Sequence, residues 1–599
     1  MKTPSDLPRA EYPQPQWQRN QWHNLNGEWD FCFDDHNQGL MEQWFLNGPF
    51  NRKIVVPFPF QSALSGIYDT SCHDIVWYRR TVDVQPLEKD QRMILHFGAV
   101  DYQADVWFNG HLLAHHTGGH IPFAVDITPY LSRTPVNVLV VRAEDLTHDL
   151  EQPRGKQFWE ESPRGIFYTR TSGIWQTVWT EEVNVVHLKS GVFVPDIDHH
   201  AVTVTLDVAG LLSTNPNVYD LHMAISFGDE TLVSDTISVG QTPVQRTIYL
   251  PDRADASSRL WSPEIPNIYD VTLTLLRNQL TVDKINSYFG MRKISVLKDR
   301  VLVNNRPYTM KLILDQGYFP GGVLTAACDQ DYVEDIELIK GMGFNGVRKH
   351  QKVEDPRFLY WADKKGLLVW EEMANAYQFS TSAVRRLVTE WQEVIARDIN
   401  HPCLVAWVPL NESWGVPEIL TNPAQQSFAM SLYHLTKSLD PSRLVISNDG
   451  WEHMDTDLLT IHDYESQESV LAQRYSTIQN TLASMPGLRV LFVDSQGYQK
   501  QPVLLTEFGG IAFDQHTTAG WGYTRAVNPK EFADRLLAVF RPLNTSPILR
   551  GYCYTQFTDV EQEVNGLLTF DRKPKLPLKL IRSIVENGET SLLAIESFS

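Results

Sequence analysis

The stretch Asn400–Gly415 reads NHPCLVAWVPLNESWG, and within it the apolar run Cys403–Val408 gives way to Asn411–Glu412. A run that short and uninterrupted predicts a strand buried on both faces, as in a parallel sheet. PVLLTEFGG, residues Pro502–Gly510, repeats the arrangement and ends in Glu507. Parallel strands that deliver carboxylates just past their C-terminal ends are the arrangement of a (β/α)8 barrel, whose chemistry sits on that rim.

The surrounding pattern supports a barrel from about residue 293 to 599. A helix is predicted over Asp329–Met342 and a strand over Asn345–Arg348. Asp355–Pro356 supplies an N-cap and first turn, Gly366 a stop, and Leu367–Trp370 a further strand. Val384, Leu387, Val388, Trp391 and Ile395 fall on one helical face. Strands at Leu444–Ser447, Leu458–His462 and Gly551–Tyr554 complete the repeated unit, which favours a TIM barrel over an open doubly wound sheet. No glycine-rich phosphate loop stands at a strand–helix turn, so no nucleotide cofactor is expected.

The first 292 residues read differently. Residues 1–182 carry short strands at Ile54–Pro57, Trp77–Arg80, Met93–Phe97 and Asp105–Phe108, the last ending in the hairpin signal Asn109–Gly110. With no long helical period, this part is expected to be a jelly-roll β-sandwich. Residues 183–292 hold alternating runs at Val202–Val208, Val218–Phe227, Leu232–Val239, Gln245–Leu250 and Ile268–Leu276, expected to build an immunoglobulin-like sandwich. Three domains suit a chain of 599 residues.

Composition narrows the class of partner. A net charge of −20 argues against nucleic acid, which needs a basic surface. The five cysteines are scattered and odd in number, so no disulfide framework is expected. The first residues lack the apolar core of a secretory signal, and no run reaches the roughly 20 apolar residues of a membrane span. The expectation is a cytoplasmic protein with no membrane partner; a homo-oligomer is compatible with the sequence and not required by it.

Two glutamates on one barrel rim suit cleavage of a glycosidic bond. One carboxylic acid protonates the leaving oxygen while the other attacks the anomeric carbon or activates water. A strand-end glutamate taken alone more often caps a helix or pairs with an arginine; two in matching contexts point to Glu412 and Glu507 as catalytic. Asn411 is placed to bind a sugar hydroxyl. Tyr464, in His462–Asp463–Tyr464, is placed to orient the nucleophile, and Arg348 to keep a carboxylate ionised. His462, Trp451 and Tyr554 complete the substrate-orienting candidates. His115, His116, His120, His199 and His200 lack ligand spacing and read as loop residues, so no metal is expected.

At this point the chain resembles glycoside hydrolase family 2, the family of β-galactosidases, β-glucuronidases and β-mannosidases. The resemblance is carried by Leu25–Trp29, Val106–Gly110, Gly173–Trp175, Leu260–Glu264, Phe289–Arg292, Asn400–Pro402 with Asn411–Glu412, and Thr506–Gly509. It implies a retaining mechanism with Glu412 as acid/base and Glu507 as nucleophile, the ionised nucleophile raising the pKa of its partner. The β-glucuronidases of the family carry an Asn-x-Lys near the end of the barrel, where this chain has Val564–Asn565–Gly566–Leu567. Tyr554 stands in for a Trp at the end of the last strand. The metal sites of the large β-galactosidases are not recognisable. The expected activity is therefore a retaining exo-β-glycosidase for small neutral glycosides, β-galactosidase-like. Alternatives are another sugar (glucoside, mannoside, arabinoside, galactofuranoside or glucuronide) or a non-catalytic carbohydrate-binding protein. Lys349 and Lys352 are the two cations the sequence places near enough to Arg348 to bind an acidic sugar.

Overall fold

The computed structural model describes residues 7–211, 218–251, 256–494, 496–514 and 520–589. The N-terminal part is a sandwich of a four-stranded and a six-stranded antiparallel sheet. Trp29, Phe31, Ile54, Tyr78, Leu95, Phe97, Val106 and Val141 interdigitate between them. Gln103–Phe108 and His111–Thr117 pair through Asn109 and Gly110, whose φ values of 51° and 80° are the left-handed pair that a tight hairpin requires. Val178–Asn184 closes this sandwich and His187–Asp196 opens the next. That second unit packs a three-stranded sheet on a four-stranded one, with Val202, Val204, Leu206, Leu221, Leu273 and Ile285 inside. It is an immunoglobulin-like arrangement, the fold expected of this part of the chain.

A small antiparallel ribbon then leads into eight parallel strands. In chain order they are Met310–Asp315, Gly346–Lys349, Leu368–Glu372, Leu404–Val408, Leu444–Val445, Leu459–His462, Val503–Gly509 and Leu549–Thr555. The first pairs with both the second and the eighth, so the sheet curls into a barrel. Its ladder is open only between the fifth and sixth strands, where the fifth is short. There Val445 accepts from Asp457 N (3.0 Å), and Gly450 N donates to Thr460 Oγ1 (3.1 Å). The helices lie outside, on an apolar layer that includes Ile336, Leu359, Trp391, Leu432, Phe540 and Ile584. Strand residues buried on both faces explain why these segments read as unbroken apolar runs rather than alternating ones. No helix among the described residues is long and apolar enough to cross a membrane.

Candidate functional site

The C-terminal ends of the barrel strands converge on one buried cluster of charge. Arg348, at the end of the second strand, is fully buried at its centre. Its Nη1 lies 2.8 Å from Asp449 Oδ2 and 3.1 Å from Glu507 Oε1, and donates to the Thr506 carbonyl at 3.0 Å. Its Nη2 donates to Asn411 Oδ1 at 2.7 Å, and its Nε to Glu372. Burial opposes the guanidinium charge, but Asp449, Glu372 and Glu507 outweigh it and raise its pKa.

Glu507 sits on the seventh strand, 5% exposed. Tyr464 donates to its Oε2 at 2.5 Å while Arg348 holds Oε1. Burial, then the neighbouring Glu507 charge, pushes the Tyr464 phenol above its ordinary range, so it stays a donor. Tyr464 is itself fixed by a parallel stack on Tyr523, with ring centroids 3.3 Å apart.

Glu412 lies just past the fourth strand, where Glu412 and Ser413 take φ values of 53° and 58°. Two successive left-handed residues are unusual outside glycine and turn the chain sharply. The turn is clasped from the fifth strand's loop: Glu412 N donates to Asp449 O and Ser413 N to Asn448 Oδ1, both at 2.9 Å. It aims the Glu412 carboxylate at His462, whose Nδ1 is 2.7 Å from Oε1. The opposite ring nitrogen of His462 is 2.9 Å from Asp449 Oδ2, and Nδ1 is also 3.5 Å from Glu507 Oε2. Burial alone would push the His462 pKa down, yet Glu507, Asp449 and Glu412 raise it to about 10. His462 is therefore an imidazolium at neutral pH, with a carboxylate on each nitrogen.

That charge overturns one expectation. The pKa of Glu412 was expected to rise through repulsion by Glu507. Burial does push it up, but the hydrogen bond and charge of His462, with Lys156 and Arg348, hold it below the usual carboxylate value.

Of the remaining candidates, Asn411 is in the cluster, with its Oδ1 on Arg348 and its buried Nδ2 without a partner among the described residues. Trp451 borders it, edge-on to the His462 ring at 5.4 Å. Tyr554 does not join it. Its ring packs on Phe508 and Phe540, in the layer between strand and helix, and its hydroxyl is buried there, away from the cluster. Side chains alternate along a strand, so the next residue, Thr555, faces the site instead, its Oγ1 3.4 Å from Tyr464 Oη. Lys349 and Lys352 are also taken up elsewhere. The first pairs with Asp315 and Glu354 at 2.5 and 2.6 Å; the second pairs with Glu354 at 2.8 Å and donates to the Gly317 and Leu324 carbonyls.

Four residues of the site were not anticipated. Glu372 ends the apolar strand Leu368–Glu372, the same signal that marked Glu412 and Glu507, and was legible. Asp449 lies four residues past the fifth strand, Leu444–Val445, so that strand, though expected, did not point to it. Lys156 and Glu563 belong to loops without periodicity.

Glu412, His462 and Glu507 each offer a ligand atom within 4.8 Å of the others. A metal there would have to displace a proton held between carboxylates on both sides of His462, beside the Arg348 charge, so the donor set suits a proton better than a cation. A second such group, Asp363, His401 and Cys403, is committed to structure, since Asp363 already accepts from Tyr288 (2.8 Å), from Cys403 N (2.8 Å) and from His401 (2.6 Å).

Comparison with known proteins bears on the whole chain. Residues 22–178 match the model of the glycosyl hydrolases family 2 sugar binding domain, 186–292 that of glycosyl hydrolases family 2, and 296–588 that of its TIM barrel domain. A β-galactosidase of Thermoanaerobacter pseudethanolicus is 27% identical over 400 residues, 65% of this chain and 50% of that protein. The β-glucuronidase of Rattus norvegicus is 24% identical over 554 residues, 82% of this chain and 77% of that one. The chain spans about half the length of the first curated relatives it matches. In three dimensions it is similar to the Bifidobacterium dentium β-glucuronidase complexed with coumarin-3-O-glucuronide, with a TM-score of 0.78 at 19% identity over 96% of this chain and 98% of that one. The β-glucuronidase of Ruminococcus gnavus in complex with D-glucuronic acid gives 0.76 at 18%, over 97% and 100%. These structural likenesses concern the fold. With its sandwich, its immunoglobulin-like unit and its barrel each matched by a model of the same family, the chain belongs to the glycosyl hydrolases family 2.

Proposed function

We propose that this protein is a retaining exo-β-glycosidase that acts on small neutral glycosides, with Glu507 as nucleophile and Glu412 as acid/base. The observation that carries this reading is the approach of the two carboxylates, an oxygen of each lying within 4.8 Å of the other. Direct attack on the anomeric carbon needs carboxyl groups about 5–5.5 Å apart, whereas inversion leaves room for water at about 6.5–9.5 Å.

The division of roles follows from the partners. Glu507 is fixed and aimed by Arg348 and Tyr464, which donate to its two oxygens. In attack it forms the bond to the anomeric carbon as the bond to the leaving oxygen breaks. Glu412 must give a proton to that oxygen, and its ordinary state beside His462 is the anion. The proton it needs is held 2.7 Å away on His462 Nδ1. Transfer to Glu412 as substrate excludes water leaves a neutral imidazole, whose opposite N–H still donates to Asp449. The unpartnered Asn411 amide supports binding of a hydroxyl next to the reacting carbon.

Turnover of a panel of nitrophenyl β-glycosides, with proton NMR of the first-formed anomer, tests the reading. The β-anomer appearing first supports it; the α-anomer, or no turnover of any member, refutes it. A second reading, cleavage of glucuronides, is favoured by one observation, the ammonium of Lys156 in the barrel mouth, unpaired among the described residues, and the same panel with the glucuronide included separates the two.

A further inference from the structure

We infer that Lys156, carried into the barrel mouth by the N-terminal sandwich, and Glu563, on the loop after the last barrel strand, form a clamp for two neighbouring, non-reacting hydroxyls of a neutral sugar ring. The inference rests on the glycosidase reading and names the part of the substrate that the two catalytic glutamates do not touch.

Lys156 is only 7% exposed, yet among the described residues its Nζ has neither a hydrogen-bond nor an ion-pair partner. Its ammonium lies over the face of Phe167, 5.7 Å from the ring centroid. Its stem is packed away while the ammonium, given no acceptor by these residues, can take one from a ligand hydroxyl. It stands within electrostatic reach of Glu412, His350 and Glu563, which places it over the cluster described above. Glu563 is 3% exposed and accepts from Asn565 Nδ2 at 2.9 Å and from the Tyr168 hydroxyl.

Tyr168 ties the two segments together: its N–H donates to the Lys156 carbonyl at 2.9 Å while its hydroxyl holds Glu563. The lysine's own loop is equally fixed. Arg154 N and Gly155 N donate to the Asn375 carbonyl at 3.2 and 3.1 Å, and Tyr377 donates to the Gly155 carbonyl. Gly155 has a φ of +59°, and a Cβ there would fall 2.2 Å from the Gln351 carbonyl oxygen, so the loop lies flat on the barrel rim. The result is a donor-only group and an acceptor carboxylate held apart. Adjacent hydroxyls bridge such a pair, one accepting from the ammonium and the other donating to the carboxylate. A sugar carboxylate would instead gain one ammonium and face Glu563, Glu412 and Glu507 together.

The test measures kcat/KM of wild type, Lys156→Met, Glu563→Gln and the double variant on the best neutral nitrophenyl glycoside, its deoxy analogues and the matching glucuronide. Calorimetric binding of the free neutral monosaccharide accompanies it. Each single variant should lose about 100-fold on the neutral glycoside, the scale of one charge-assisted hydrogen bond. The double variant should lose less than the product of the two, and one deoxy analogue should be cleaved poorly by wild type yet be nearly indifferent to Lys156→Met. Lys156→Gln, which keeps donors without charge, should recover part of the loss and guards against a folding artefact. A Lys156→Met enzyme unchanged on the neutral glycoside, or one that loses the glucuronide alone, overturns the clamp while leaving the glycosidase reading intact. If wild type cleaves nothing but binds the neutral sugar, and Lys156→Met weakens that binding, the glycosidase reading falls and the clamp stands. If it neither cleaves nor binds neutral sugars, both fall.

Discussion

At the scale of single residues, the two glutamates differ in what surrounds them, and their variants should differ accordingly. Glu507→Ala removes the carboxylate proposed to attack, and Arg348 keeps Asp449 and Glu372 as partners, so the fold should persist. A loss of kcat on the order of 10⁴ or more is expected on every substrate. Glu412→Ala removes proton delivery, worth roughly 10²–10⁴ where the leaving group is poor and far less for an activated aryl glycoside. Equal losses on both kinds of leaving group would deny Glu412 the role. His462 makes a prediction about pH. Its folded pKa of about 10 lies above the ordinary 6.5, so its contribution to stability is complete below about pH 6.5 and is lost as pH rises through about 10. Urea midpoints of wild type should fall across that window beyond those of His462→Gln; parallel curves would show that the imidazolium is not held as described. Which residue faces the site was legible where an apolar strand stops on a charge, as at Arg348, Glu412 and Glu507. It was not legible at Tyr554 and Thr555, where strand phase decides and the sequence offers two adjacent polar-tipped candidates.

At the scale of elements, the loop Arg154–Gln157 is the part that joins sandwich to barrel at the point of chemistry. Gly155→Val adds a Cβ against the Gln351 carbonyl in a conformation that β-branched residues avoid, and should cost roughly 2–4 kcal/mol. Because the strain falls one residue from Lys156, kcat/KM should drop with it. Gly165 is a fitting control: its φ is +60° and nothing lies within 4 Å of its would-be Cβ. Gly165→Val carries the backbone strain without the collision. If both variants lower the thermal midpoint and kcat/KM alike, the loop is not pressed against the rim as argued. The elements themselves were readable wherever local chemistry fixes them: Asn109–Gly110 turned as its sequence requires, and Asp355 caps the helix Pro356–Lys365 by accepting from Arg357 N at 2.8 Å. The docking of this loop was not, because Gly155 and Lys156 acquire meaning only from Gln351, Asn375 and Tyr377, some 200 residues away and brought near by the barrel.

At the scale of the whole molecule, charge should select the substrate. The chain carries −20, and the barrel mouth sets Glu412, Glu507, Asp449, Glu372 and Glu563 against Arg348, His462 and Lys156. With Lys349 and Lys352 tied to Asp315 and Glu354, Lys156 is the one of these three lysines left, among the described residues, to meet a sugar carboxylate, and the Glu563 charge is near it. A desolvated carboxylate without a matched cation costs several kcal/mol. Neutral glycosides should therefore be cleaved with kcat/KM at least roughly 100-fold above the matching glucuronide, which corresponds to 2.7 kcal/mol. Salt divides that ratio into two contributions. The long-range field of the −20 charge slows the approach of an anion and is screened as the Debye length falls from about 30 Å at 0.01 M to about 10 Å at 0.1 M. Repulsion inside the pocket acts over a few ångströms behind protein and is screened much less. Raising the salt over that range should leave the neutral glycoside unchanged, speed the glucuronide a few-fold, and leave most of the selectivity standing. A ratio that vanishes with salt would assign the discrimination to the surface and not to the pocket, and a glucuronide cleaved as fast as the best neutral sugar at low salt would refute it altogether.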